Sequence, residues 1–237
     1  MAQSRFLLDE PMTGPGEYVL GRQESHHAVN VLRCRCDDAI VVFDGRGNYA
    51  EAIITDAGRN AVRVRVDGVH REEHLPLTLT IASAIPKGKR WQLLVEKCTE
   101  LGADRILPLL SERSVAKGEG DAEKWRRWAV EAAKQSRRAW IPEISEPMAL
   151  AEILAVAKRE NALLFVADAG GESPASFQGM PGHASRATVL IGPEGGFTAE
   201  EMAGVSAHGA KPIRLSPFIL RIETAAAAAC AVFRELV

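Results

Sequence analysis

Ile191-Gly192-Pro193-Glu194-Gly195-Gly196-Phe197-Thr198 is the stretch on which the reading of this chain turns. An apolar run of strand length, 188–191, leads into it, and Thr198 with Glu201 three residues on forms a capping box that opens a helix. The stretch is therefore a glycine-rich bend between a buried strand and a helix. Its three glycines remove side chains, so a ligand can approach the backbone and meet its N–H and C=O groups. The spacing is not G-x-G-x-x-G, and no Lys-Ser/Thr follows, so a phosphate cradle is not indicated. A tight turn with no ligand has the same appearance.

Working outward, a second bend lies at Leu215-Ser216-Pro217-Phe218-Ile219-Leu220-Arg221-Ile222-Glu223-Thr224-Ala225. A short apolar run, 212–216, ends in a Pro-containing loop, and Arg-x-Glu-Thr then opens an alanine-rich helix over 223–236. Glu223 near a helix N-terminus suits the dipole, and a purely capping Glu223 or Thr224 fits equally well. Arg221 and Glu223 at the edge of an apolar loop suit a ligand with a flat ring and a separate charged end.

Residues 74–237 alternate between strand and helix patterns. Strands are expected at 77–81, 106–110, 163–167, 188–191 and 212–216. Helices are expected at 89–101, 121–139 and about 149–158; in the first, Trp91, Leu94, Val95, Cys98 and Leu101 recur at helical steps before Gly102. This rhythm predicts an α/β domain with a mainly parallel sheet, and in such sheets ligands bind beyond the carboxyl ends of the strands. Residues 1–73 read as a small β-rich unit, a barrel of short strands. Candidates are 6–8, 40–43 before the turn pair Asp44-Gly45, 49–55, and 62–66, where Val62, Val64 and Val66 alternate with polar residues. A short helix over 25–33 capped by Ser25 is expected between them, and 68–76 reads as a linker.

The chain has 237 residues, 46% of them hydrophobic and 25% charged, which excludes a fibrous or wholly disordered protein. No apolar run reaches the roughly 18 residues that span a bilayer. The start, MAQSRFLLDEP, lacks the pattern of a secretory signal. Cys34, Cys36, Cys98 and Cys230 supply neither a disulfide framework nor two spaced zinc pairs, so free thiols in the cytoplasm and no metal are expected. The net charge of -2 hides a local excess, with 13 basic against 8 acidic residues between 87 and 138. Such an excess can meet phosphates or simply solvate a helix face.

With IGPEGGFTAEE followed by LSPFILRIETA, the sequence resembles the SPOUT class of RNA methyltransferases. More narrowly it resembles the RsmE family, the 16S ribosomal RNA (uracil-N3)-methyltransferases. His27 with Val31-Leu32-Arg33, and Phe43-Asp44-Gly45, match that family's N-terminal domain. Lys87-Gly88, Glu96-Lys97, Thr99-Glu100-Leu101-Gly102 and Ser111-Glu112-Arg113 match the start of its catalytic domain. Trp128, Ala132, Gln135-Ser136, Arg138 and Pro142 match its middle helix. The second motif departs from the family at Ser216 for glycine, Phe218 for arginine and Ile222 for a smaller residue, and Lys134 stands where glutamate is common.

The resemblance implies a PUA-like β-barrel over 1–73 that helps to hold RNA. It implies a catalytic domain over 74–237 with a deep trefoil knot, a rare exception to the rule against threaded loops. It also implies S-adenosylmethionine as cofactor, a homodimer with the site near its interface, small-subunit rRNA as partner, no membrane and a cytoplasmic location. Carried over, Ile191, Gly192 and Gly196 line one side of the cofactor, and Leu215, Ser216, Ile219 and Leu220 the other. The expected reaction is methyl transfer to the imide nitrogen of a uridine. Arg221 would stabilise the developing uracil anion, and Glu223 would orient that arginine or accept the proton. Arg113, Lys117, Arg137 and Arg138, with Arg5 and Arg33 in the barrel, are candidates for RNA contacts. Two alternatives stand beside this reading: a non-catalytic RNA-binding or ribosome-assembly factor, and a SPOUT methyltransferase acting at another RNA position.

Overall fold

The computed structural model describes residues 3–58, 61–114, 120–179 and 185–236. The chain divides into two compact units, residues 1–74 with 133–141, and residues 75–132 with 142–237. The first holds β1 (Arg5–Leu7), β2 (Gly16–Val19), α1 (Arg22–His26), β3 (Ala39–Phe43), β4 (Asn48–Ala57), β5 (Val62–Val66) and β6 (His70–Arg71). They form one sheet ordered β1-β3-β4-β5-β2, with β6 on β4. β1 runs parallel to β3 and the other pairs are antiparallel. The alternation in β5 works as a one-faced strand: Val62, Val64 and Val66 are buried while Arg63 and Arg65 are exposed. The valines join Phe6, Leu8, Leu20, Ile40, Val42 and Ile54 in one core.

Local chemistry changes three sequence expectations here. The helix begins three residues earlier than Ser25, with Gly21 as its N-cap, and passes into a π-helical turn over His27–Val31. Ser25 does not cap it. Its hydroxyl is buried, donating to the Leu20 carbonyl at 2.9 Å and accepting from the Val62 N–H at 3.0 Å. Asp44 does more than mark a turn, since its buried carboxylate accepts from the backbone N–H groups of Met12, Arg46 and Asn48. Part of the expected linker, β6, pairs with β4.

Residues 133–141 are tied into this unit by hydrogen bonds. The Ala139 N–H donates to the Glu72 carboxylate at 2.6 Å, and the Trp140 indole donates to the Glu72 carbonyl at 3.1 Å. Lys134 has an immediate use: its ammonium pairs with the Glu24 carboxylate at 2.5 Å, with side chains only 9% and 15% exposed. Removing one partner of so buried a pair strands the other charge, typically costing about 3–5 kcal/mol.

The second unit carries β7 (Thr78–Ala84), α2 (Arg90–Glu100), β8 (Arg105–Leu110), α3 (Ala122–Ser136), β9 (Glu143–Ile144), β10 (Met148–Ala149), α4 (Leu150–Arg159), β11 (Leu163–Glu172), β12 (Arg186–Ile191), α5 (Ala199–Ala207), β13 (Lys211–Ile213) and α6 (Ile222–Glu235). Its last α3 residues belong to the first unit. The sheet is ordered β10-β8-β7-β12-β11-β13 with β9 on β8, and every pair is parallel. β7 is buried on both sides, residues 79–84 being buried throughout, Thr80 and Ser83 included. In α2, Trp91, Leu94, Val95 and Cys98 form the buried face, and Gly102 at φ +91° stops the helix. α6 packs on α2, β7 and β12. The Cys98 thiol on α2 is pushed well up by its hydrogen bond to Cys230 of α6 and by burial, which keeps it inert. β13 stops at Ile213 rather than residue 216, because the chain turns off the sheet toward Pro217.

Candidate active site

Three neighbouring strands, β12, β11 and β13, end on one side of the parallel sheet, and the segments at their carboxyl ends surround a cavity of about 340 Å3. That placement and size are those of a small-ligand site. Residues 191–194, 196 and 197 form one wall and 215, 216 and 218–220 another, with Ile222 and Ala225 of α6 and Met202 of α5 between. Thus Ile191, Gly192, Gly196, Leu215, Ser216, Ile219 and Leu220, chosen from two separate stretches of sequence, all face one cavity.

The glycine-rich wall is held from several directions. Within it, the Gly196 N–H donates to the Pro193 carbonyl at 2.8 Å. Gly196 has φ +67°, so its need for glycine is conformational; a β-carbon there would meet nothing within 4 Å. Gly192 is the opposite case, since an added β-carbon would stand 3.0 Å from the Phe197 ring. The capping box is formed in full: the Thr198 hydroxyl accepts from the Glu201 N–H at 3.2 Å, and Glu201 accepts from the Thr198 N–H at 2.8 Å. The second Glu201 oxygen accepts from the Glu112 N–H at 2.8 Å. Arg113 donates to the Gly195 carbonyl at 2.7 Å, and Arg90 pairs with Glu194 at 3.3 Å.

The other wall is sparsely tied. The Phe218 N–H donates to the Ser216 hydroxyl at 3.1 Å. Phe218 is 79% exposed and Ile219 93%. Arg221 is the N-cap residue of α6 and exposed, and its side chain makes no capping bond. Glu223 is buried in the first turn, with Oε2 lacking any hydrogen-bond partner among the described residues. Neither residue lines the cavity, but Ile222 between them does.

The basic residues singled out from sequence are dispersed. In the first unit, Arg5 lies over the rings of Phe43 and Tyr49, at 5.2 and 5.9 Å. Burial pulls its guanidinium below its ordinary pKa, against the raising effect of Glu72. Arg33 and Arg137 are exposed at left-handed backbone positions, φ +57° and +60°, and Arg138 is half-buried. Lys117 lies outside the described residues. Sequence reasoning missed residues 166–169 of β11, which complete the cavity and include the exposed Asp168. The signal available was the carboxyl end of the strand expected at 163–167, which β11 in fact continues to Glu172.

A parallel sheet with a pocket at its strand ends, joined to a small β unit, is the frame in which comparisons with known proteins fall into place. The sequence model of the RNA methyltransferase domain matches residues 73–234, and that of the RNA methyltransferase PUA domain matches residues 20–67. A ribosomal RNA small subunit methyltransferase E from Mycobacterium bovis is 34% identical over 97% of this chain and 90% of its own length. Its counterpart from Neisseria gonorrhoeae, solved bound to S-adenosyl methionine, superposes with a TM-score of 0.88 at 27% identity, covering 99% of this chain and 98% of that one. A Legionella pneumophila methyltransferase in complex with the same cofactor gives a TM-score of 0.86 at 30% identity, over 99% and 98% of the two chains. Fold and pocket together define an RNA methyltransferase of the SPOUT type with a PUA-like N-terminal domain. The chain belongs to the ribosomal RNA small subunit methyltransferase E family.

Proposed function

We propose that this protein is an S-adenosylmethionine-dependent methyltransferase acting on N3 of a uridine in 16S ribosomal RNA. The observation that carries the reading is the convergence of residues 191–197 and 215–220 on one cavity. That cavity fits the cofactor. It is of small-ligand size, its walls combine glycines and apolar side chains with Asp168, Glu194 and Ser216, and Gly196 turns the chain at φ +67° without side-chain bulk. Ile191, Gly192, Gly196, Leu215, Ser216, Ile219 and Leu220 would hold it. When bound, S-adenosylmethionine supplies a methyl group already activated by a sulfonium, and the protein's tasks are alignment and proton removal.

Arg221 makes no capping bond and would donate to a uracil carbonyl oxygen as the N3 proton leaves, stabilising the uracil anion. Glu223, with an unpartnered oxygen two residues further on, orients that arginine or accepts the proton. Arg33, Arg137, Arg138 and Lys117 would meet RNA phosphates, and Arg5, half-buried and packed on its two rings, would be the barrel's further contribution. The PUA-like domain would run to about residue 73 and take in residues 133–141 as well, and the C-terminal segment would thread the knot that the fold class implies. The exposed Phe218 and Ile219 favour a homodimer that covers them. No helix among the described residues is long and apolar enough to cross a membrane, and a ribosomal substrate puts the enzyme in the cytoplasm.

The test uses 30S subunits and naked 16S rRNA from a strain lacking the corresponding gene, incubated with the purified protein and methyl-labelled cofactor. Nucleoside analysis should find N3-methyluridine at one position. Label in a ribose or another base would move the reaction elsewhere within the class. Tight cofactor binding without transfer would favour an assembly factor.

A further inference from the structure

Two consecutive residues of the glycine-rich turn are each gripped by an arginine from a different element. Arg90, at the start of α2, pairs with the Glu194 carboxylate at 3.3 Å, and Arg113, in the loop after β8, donates to the Gly195 carbonyl at 2.7 Å. The Arg113 stem runs along the turn, its Cδ 3.4 Å from where a β-carbon on Gly195 would stand. The β8 loop is attached a second time, because Glu201 accepts the Glu112 N–H on one oxygen and caps α5 with the other. It is also locked internally, with the Ser111 N–H donating to the Ser114 hydroxyl at 2.9 Å and the Ser114 N–H returning to the Ser111 carbonyl at 3.0 Å. One short loop thus holds both the middle of the turn and the helix that follows it.

We infer that Arg113 is a positioning residue for the methyl-donor pocket, not an RNA contact as the charge pattern suggests. This rests on the proposed cofactor reading of the cavity. By anchoring the Gly195 carbonyl, Arg113 fixes the peptide plane between Gly195 and Gly196, which leads directly into Gly196 and Phe197 of the wall. The turn has no side chains of its own at Gly195 or Gly196 with which to lock its shape, so the lock comes from outside. A charged donor on a carbonyl is the stronger form of such a bond. Arg90 contributes less, since its pair with Glu194 is exposed on both partners, at 36% and 45%.

The experiment titrates wild type, Arg113→Ala, Arg113→Gln, Arg113→Lys and Arg90→Ala with S-adenosylmethionine by calorimetry, and measures steady-state transfer to 16S rRNA. Arg113→Ala should weaken cofactor affinity roughly tenfold and raise the cofactor KM in parallel, with the loss in KM rather than kcat. Lysine, which keeps a charged donor, should recover part of the affinity, and Arg90→Ala should lose less than Arg113→Ala. Arg113→Gln retains the stem and a donor and carries the same comparison if the alanine variant melts early. Unchanged cofactor affinity together with a raised KM for RNA would overturn the assignment and return Arg113 to the RNA surface. Failure of the wild-type protein itself to bind the cofactor would instead bring down the functional reading, and the positioning role with it.

Discussion

The two walls of the pocket are built on opposite terms. Residues 192–197 are held by their own turn bond, a capping box, two arginines and a shared glutamate. Along 215–220 the described hydrogen bonding comes down to the Phe218 N–H on Ser216, and two large apolar side chains stand 79% and 93% exposed. A wall held from outside keeps its shape before any ligand arrives, so little ordering remains to be done on binding. An untied wall suits a surface completed by something else, whether donor, nucleotide or a second copy of the chain. On the proposed reading the preset wall serves the donor alone, while the open wall both holds the donor and meets the substrate, so each can be tested without the other.

The hardest break is at the far end of the open wall. Arg221→Ala should cut kcat by about 100-fold or more, the typical loss when a donor to a developing oxyanion is removed. Cofactor affinity by calorimetry should stay within roughly twofold, because Arg221 does not line the cavity. A fully active variant would leave the open wall with no chemistry assigned to it, and the division of labour would collapse.

What could be read from sequence follows the range of the interactions. The capping box of Thr198 and Glu201 and the alternation of β5 are local, and both stand as the pattern predicts. β2 buries only Tyr18 of its four residues, which leaves no period to recognise. Ser25 has the chemistry of a cap, but a tertiary partner, the Val62 N–H, claims its hydroxyl. The tie between residues 133–141 and the first unit runs through Glu72, 67 positions away from Ala139. At the site, the two glycine- and proline-marked bends were legible because turn chemistry is local. The Arg113 clasp was not, since its partner is a backbone carbonyl 82 positions on and carries no residue signature. Asp168 lies within β11, just past its apolar first half, with no motif around it, and enters the cavity only through strand order.

A milder break falls on the held wall. Gly196→Ala puts a side chain at φ +67° with ample room, so its cost is conformational, about 1 kcal/mol. For a chain of this size that lowers Tm by roughly 2–4 °C. If the preset shape of this wall is what holds the donor, cofactor affinity should fall severalfold as well, and asparagine, which tolerates the left-handed region, should restore part of both. A Tm drop without any loss of affinity would mean the wall needs no preset shape, and the contrast between the walls would lose its meaning.

The smallest effect on the folded chain is expected at Phe218. A ring 79% exposed contributes little to its own fold, so Phe218→Asp should change stability by no more than about 0.5 kcal/mol, read as a nearly unchanged Tm. Its consequence should instead appear between chains. If a second copy covers the open wall, sedimentation equilibrium should show a wild-type dimer and a markedly weaker one in the variant, since a buried carboxylate facing an apolar partner is costly. Transfer should then fall with dissociation and recover at high protein concentration. A wild-type monomer would leave Phe218 and Ile219 to the RNA alone, and the open wall would be a substrate surface and not a subunit contact.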